Sequence, residues 1–294
     1  MCGALRRDGA RGVCGANDTM IIARAALHFW EEPPLCGQRG SGAVFFSHCP
    51  LRCVYCQNAT IAAGSVGVEV SEERLAQICL DLQSQGALNV NFVTPTHYTL
   101  HVMRAVELAK AQGLVVPVLW NTSGYERSDT VRALSDTVDV YLADYKYSDG
   151  ALAARYSNAP DYPEVALEAL EAMVGEVGLP QFDEVDGMPR MTRGVVVRHL
   201  LLPGALEQSK EVVRTVFERF GTDVLVSIMN QYTPVIEKSA AASKYPELCA
   251  QVPDEDYECL LDYADSLGME DYFWQDGPAA QESFIPAWDL EGVL

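Results

Sequence analysis

The 294-residue sequence predicts an α/β fold built on a parallel barrel, closed or partial. Three observations lead there. From residue 43 onward, six short β-rich runs alternate with amphipathic helical patterns. Most of the runs are near-continuous apolar stretches, as expected of parallel strands buried on both faces. The gaps between them hold helices, the connection that parallel neighbours require, with right-handed crossovers.

Residues 1–42 read as an N-terminal extension that ends in a connection rich in Pro33, Pro34, Gly37, Gly40 and Gly42. The first strand is expected at 43–47. Ser71 then reads as an N-cap with Glu72 and Glu73 in the first turn, and Gly86 as the stop. Within that helix Leu75, Ile78, Cys79 and Leu82 recur at i, i+3, i+4 and i+7, which makes Cys79 a core residue. A strand at 88–94 leads into a helix at 98–112 that ends at Gly113. Strands at 115–121 and 138–144 follow, with helices at 128–135 and 162–177. A strand at 194–202 precedes a helix at 207–220 whose Val212, Val213, Val216, Phe217 and Phe220 share one face before Gly221. The sixth strand is expected at 223–229. The barrel core thus spans 43–234, and 235–294 forms a C-terminal extension rich in aromatics and acids. That extension carries a helix at 253–267, with Tyr257, Leu260, Leu261 and Ala264 on one face and Gly268 behind it.

Composition narrows the class. Hydrophobic residues make up 49% and charged residues 21%, ordinary for a globular chain long enough to bury a sizeable core. With 41 acidic against 21 basic side chains the formal charge is -20, which repels phosphate backbones and anionic membranes. Nucleic acid and membrane are therefore not expected as partners. The first fifteen residues lack the apolar core of a secretory signal, and no apolar run approaches the ~20 residues of a spanning helix, so a cytoplasmic location is expected. Nine cysteines in a reducing compartment point to metal or packing rather than to disulfides. Cys249 and Cys259 have no neighbour at ligand spacing and read as structural.

The first strand runs directly into Cys49-Pro-Leu-Arg-Cys53-Val-Tyr-Cys56, a C-x3-C-x2-C spacing. Three thiolates on one tight loop can hold three irons of a cubane and leave the fourth open, whereas electron-transfer clusters generally use four cysteines. A structural zinc site needs four ligands, and only His48, adjacent to Cys49 and badly placed, is near. The open iron can chelate the amino and carboxylate groups of S-adenosylmethionine, and one electron from the reduced cluster then releases a 5′-deoxyadenosyl radical.

The segments Leu27-His-Phe-Trp-Glu-Glu-Pro-Pro34, Gly40-Ser-Gly42, Phe45-Phe46 and Cys49 through Gln57-Asn58 resemble the radical SAM proteins described as pyruvate-formate-lyase-activating-enzyme-like. The resemblance continues through Asn91–Tyr98, Trp120–Tyr125, Asp144-Tyr-Lys146, Val197–Gly204 and Ser227–Pro234, most of the chain. It implies a partial (β/α)6 TIM-like barrel of the radical SAM type, with Cys49, Cys53 and Cys56 on a [4Fe–4S] cluster and S-adenosylmethionine across the strand tips. It further implies a low-potential electron donor of flavodoxin or ferredoxin type, oxygen sensitivity, and a hydrogen-abstracting oxidoreductase whose substrate is a glycyl-radical enzyme or another protein or peptide. Thr94 and Thr96 stand where relatives carry a Gly-Gly-Glu segment, so the contact to the cofactor's amino group falls to hydroxyls or backbone carbonyls. The alternative is a non-catalytic iron–sulfur protein that carries electrons or senses redox state.

Active sites of barrels gather at the C-terminal ends of the strands. Those ends supply Asn121 and Ser123, Asp144 and Lys146, Arg198 and His199, and Asn230 and Gln231 in otherwise apolar surroundings. Burying so many polar groups costs free energy unless they serve a ligand or one another. Asn121, Ser123, Asp144 and Arg198 join Thr94 and Thr96 as candidate cofactor contacts, with Arg198 suited to a carboxylate by its bidentate fork. Tyr55 is placed to pack on the adenine or to shield the cluster. His97 and His199 lead the histidines as proton-transfer candidates because they fall at strand ends. Cys2, Cys14 and Cys36 cannot by themselves be assigned a metal. Tyr272, Phe273, Trp274 and Trp288 are candidates to cover the barrel mouth.

Overall fold

A computed structural model describes residues 4–238, 241–275 and 286–294; Cys2 lies outside them. The chain begins with strand β1 (Ile21–His28), a short helix α1 (Pro33–Cys36), β2 (Ser41–Phe46), a second short helix α2 (Ala59–Ala62) and the two-residue β3 (Val68–Glu69). Alternation follows: α3 (Glu72–Ser84), β4 (Val90–Val93), α4 (Thr99–Ala111), β5 (Val118–Thr122), α5 (Ser128–Ala133) and β6 (Val140–Asp144). Two helices, α6 (Gly150–Ser157) and α7 (Tyr162–Val177), then lead into β7 (Gln181–Val185) and the long β8 (Met188–Leu200). The chain closes with α8 (Leu206–Phe220), β9 (Leu225–Met229), α9 (Asp254–Ser266) and β10 (Tyr272–Phe273).

One sheet runs in the order β10-β9-β8-β6-β5-β4-β2-β1-β3, an open path with β3 and β10 at its ends. Along that path every pairing between β2 and β10 is parallel, β1 adds antiparallel to β2 and β3, and β7 lies off the path, antiparallel to β8. The barrel is therefore partial. All six expected strands are present, five within three residues of their expected ends and β8 starting six residues early, at Met188. The extensions on both sides also give strands to the same sheet, β1 before it and β10 after it.

Alternation along each strand sorts the core into two layers. Leu119, Val140, Leu142 and Val196 face the lumen and pack with Leu35 of α1 and Met191. The opposite faces carry Val118, Trp120, Tyr141, Val195 and Val197, which join the helices in the main core. The helices form where the sequence places them for the reasons given. Ser71 accepts the Arg74 amide at 3.2 Å to cap α3, whose Leu75, Ile78, Cys79 and Leu82 are buried. On α8 the same holds for Val212, Val213, Val216 and Phe220.

Among the elements that were not expected are helix α6 and the β7–β8 hairpin. Helix α6 is capped by Asp149, whose carboxylate accepts the Ala151 amide at 2.7 Å, and it ends at Asn158 in the left-handed region, φ 52°. The β7–β8 hairpin turns at Asp186-Gly187, both with positive φ (54° and 76°), as a two-residue turn of this hand requires. No helix among the described residues is long and apolar enough to cross a membrane.

Candidate active site

Register sets the strand tips side by side, with a step of two residues on β6 between Leu142 and Asp144. Phe45 pairs with Val93, Val93 with Asn121, Asn121 with Leu142, Asp144 with Arg198, and Arg198 with Ser227. Above these tips lies a half-open cavity of about 230 Å³. Phe45, Val93, Asn121, Asp144, Arg198, Leu200 and Met229 form its wall from the strands, Cys53, Tyr55, Cys56, Gln57 and Asn58 from the loop after β2, and His28, Trp30 and Glu31 from the end of β1 and the segment after it.

The loop after β2 is held from several sides. The Val54 amide donates to the Tyr156 carbonyl at 2.9 Å, and the Cys56 amide to the Cys53 carbonyl at 3.1 Å. His48 and Arg52 take positive φ (76° and 49°), and Thr94 at the tip of β4 does the same (59°). Left-handed backbone is a steric cost for any residue with a Cβ, and greatest for a β-branched one such as Thr94. The His48 ring lies where a side chain on Gly64 would be, since a Cβ there would sit 2.1 Å from it. This is the packing reason for a glycine at position 64.

Cys53 Sγ accepts a hydrogen bond from the Ser157 hydroxyl at 2.9 Å. Ser157 in turn bonds Tyr147 (2.7 Å), and Tyr147 bonds Tyr55 (2.7 Å), so a chain of three hydroxyls backs the loop. Burial, and then the neighbouring Cys53, push the Cys49 thiol up to about 11 and the Cys56 thiol to about 12. Lys146 reaches Asp144 at 2.5 Å, and although burial opposes it, Asp144 and the thiols of Cys53 and Cys56 raise its pKa. A cation beside three thiols suits a site that binds them as thiolates. No group of three or more His, Cys, Asp or Glu among the described residues converges as around a single ion. A cubane places each thiolate on a different iron, so its ligands stand wider apart than around one ion, and the donor set fits.

Arg198 is already occupied. Its Nε bonds Glu32 Oε1 at 2.8 Å and its Nη2 bonds Glu32 Oε2 at 2.5 Å and Glu31 as well. The bidentate fork predicted for it is therefore filled by the chain's own carboxylate. Glu31 and Glu32 escaped attention because they lie in the extension, and only their placement after β1 brings them into the lumen.

Of the other candidates, Tyr55, Asn121 and Asp144 reach the cavity wall with Arg198, Cys53 and Cys56, while Cys49, Thr94, Thr96 and Ser123 do not. The Thr96 hydroxyl donates to Glu126 at 2.5 Å, a buried carboxylate that also accepts from Trp120 (3.2 Å) and Thr122 (2.7 Å). Ser123 offers its carbonyl to Tyr162. Strand alternation turns His199 to the helix side, where Nδ1 bonds the Tyr145 carbonyl at 2.9 Å and burial pulls its pKa to about 4. His97 bonds the Ser47 carbonyl at 2.8 Å, and burial lowers it to about 3. Both strand-end histidines thus stand outside the cavity wall, and His28 is the one on it. Cys14 and Cys36 are buried free thiols, the latter bonded to the Glu31 carbonyl at 3.1 Å.

A partial parallel barrel with three thiols beside a cavity at its strand tips has the build of an iron–sulfur protein with a ligand site. Residues 43–202 match the family model of the radical SAM superfamily, and the chain belongs to that superfamily. Membership implies a [4Fe–4S] cluster and S-adenosylmethionine. The chain is similar to an uncharacterized protein of Methanocaldococcus jannaschii, 23% identical over 275 residues covering 90% of this chain and 73% of that one. Among solved structures it is similar to Streptococcus suis SuiB bound to the precursor peptide SuiA. The TM-score is 0.51 at 15% identity, over 78% of this chain and 46% of that one. The chain thus spans under half the length of SuiB, and the likeness is one of fold. Nothing in these comparisons favours the narrower activating-enzyme resemblance.

Proposed function

We propose that this radical SAM enzyme holds its cluster on Cys49, Cys53 and Cys56 and removes a hydrogen atom from a peptide or protein substrate. The observation that carries the cluster assignment is the three-thiol loop at the tip of β2, two of whose cysteines line the cavity. When bound, the cluster and S-adenosylmethionine supply a 5′-deoxyadenosyl radical after one electron enters from a flavodoxin- or ferredoxin-type donor. The chain's residues do the rest. Lys146 sets positive charge beside the thiolates, and the Ser157 hydroxyl donates to Cys53. Tyr55, Asn121 and Asp144 bound the space above.

Two features support a peptide over a small metabolite. Phe29 and Trp30 are about half exposed beside the half-open cavity, and Trp30 lines it, an arrangement suited to gripping an extended chain. SuiB, to which the chain is similar in fold, is bound to a precursor peptide. A glycyl-radical enzyme is one protein substrate within this class. Anaerobic reconstitution should give about four irons per chain. Replacing Cys49, Cys53 and Cys56 together with Ala should abolish iron uptake, and a triple variant that keeps the same cluster rejects the assignment.

A further inference from the structure

The lumen below the cavity holds more carboxylate than cation. Glu32 takes the fork of Arg198 and also bonds Ser227. Glu31 leans on the same guanidinium through one oxygen and accepts from Asn91 Nδ2 at 2.8 Å through the other. One guanidinium therefore serves two carboxylates whose side chains are only 6% and 5% exposed. The other ion pair on the wall, Asp144 with Lys146, is balanced within itself. His28 is held below its ordinary pKa, chiefly by burial, and supplies no counter-charge at neutral pH. A buried carboxylate without its own counter-ion is costly, and such groups are retained where something pairs with them.

A second feature points the same way. Asn91 is fully buried, and after giving Nδ2 to Glu31 its Oδ1 has no hydrogen-bond partner. Both atoms sit on one amide carbon, so this empty acceptor lies beside the Glu31 carboxylate. Acceptors in excess call for donors. An alkylammonium or guanidinium brings several N–H donors together with the missing charge.

We propose that Glu31 anchors a substrate bearing a cationic nitrogen, alkylammonium or guanidinium, in the cavity it shares with Cys53 and Cys56. This rests on the radical SAM reading of that cavity and adds the charge of the substrate. The cation is carried either by a small amine or by a basic residue of a peptide, and separation by size distinguishes the two.

The test uses extract from cells grown in deuterated medium, separated by size and then on a cation exchanger at neutral pH. Each fraction is incubated anaerobically with the reconstituted full chain, reductant and S-adenosylmethionine. Deuterium should enter 5′-deoxyadenosine from a retained fraction, small or peptidic according to the source. Glu31→Gln should lose that label at least tenfold while its S-adenosylmethionine affinity, read by equilibrium dialysis, changes less than twofold. Glu31→Asp, which keeps the charge, should retain more label than Glu31→Gln. Label from unretained fractions alone, or from none, overturns the proposal. Substrate-free cleavage of S-adenosylmethionine by the wild-type chain would then still uphold the radical SAM reading. A tenfold loss of cofactor affinity in Glu31→Gln also overturns it, by assigning Glu31 to the cofactor. Equal loss of label in both variants overturns it too, by making the residue structural.

Discussion

Ser157 sits at the end of α6 with its hydroxyl on Cys53 Sγ, and behind it Tyr147 and Tyr55 continue the hydrogen-bonded chain. A donor on a ligating sulfur stabilises the more negative, reduced state of a cluster, and so raises its potential. Ser157→Ala should therefore lower the midpoint of the proposed cluster without lowering iron content, as read by a redox titration followed by paramagnetic resonance. An unchanged midpoint would remove Ser157 from the site. The cysteines were plain in the sequence because their spacing is local. Ser157 and Tyr147 were not, since they approach Cys53 only through tertiary contact. Yet Asp149 and Asn158 at the two ends of α6 were readable as caps, and would have placed a helix ending beside Ser157.

On strand β8 a single step in register separates two roles. Arg198 points into the lumen to Glu31 and Glu32, and His199 points outward beneath the helices with Val195 and Val197. The sequence shows both at a strand end, and only the face decides between them. The buried imidazole also makes this strand acid-sensitive. Unfolded, it takes up a proton near its ordinary 6.5, whereas folded it does so only at about 4. Between those values the unfolded chain binds more protons, so the stability present above 6.5 is lost as pH falls, about 3 kcal/mol by pH 4. His199→Gln, which can still donate to the Tyr145 carbonyl, should flatten that fall in urea unfolding measured across the window. An unaltered pH dependence would place the titration elsewhere. The β7–β8 hairpin was missed although Asp186-Gly187 is a strong turn signal, because β7 is mostly exposed and polar and lacks the apolar run used to find strands.

Across the whole molecule the strand order follows from alternation of apolar runs and amphipathic helices, which is why the barrel was legible before any coordinates. The edges were not. Strand β1 alternates Arg24 with alanines and reads as neither helix nor strand, and β10 is two residues long. The last residues return to the start: the Ala25 amide donates to the Glu291 carbonyl at 2.8 Å, Arg24 bonds Asp289 at 2.5 Å, and Trp288 packs edge-on against Phe45 at 5.4 Å. Pro286 thereby joins the cavity wall, so the C-terminal segment borders the site, while Tyr272 and Phe273 extend the sheet. The central claim concerns the cavity and is chemical: reductive cleavage of S-adenosylmethionine. The most direct measurement is anaerobic chromatography of products after the reconstituted, reduced chain is incubated with S-adenosylmethionine. The account predicts methionine and 5′-deoxyadenosine in equal amounts, and none from the Cys49, Cys53 and Cys56 triple alanine variant. A fully reduced cluster that leaves S-adenosylmethionine intact, with a resonance spectrum indifferent to its addition, would contradict it and favour an electron carrier.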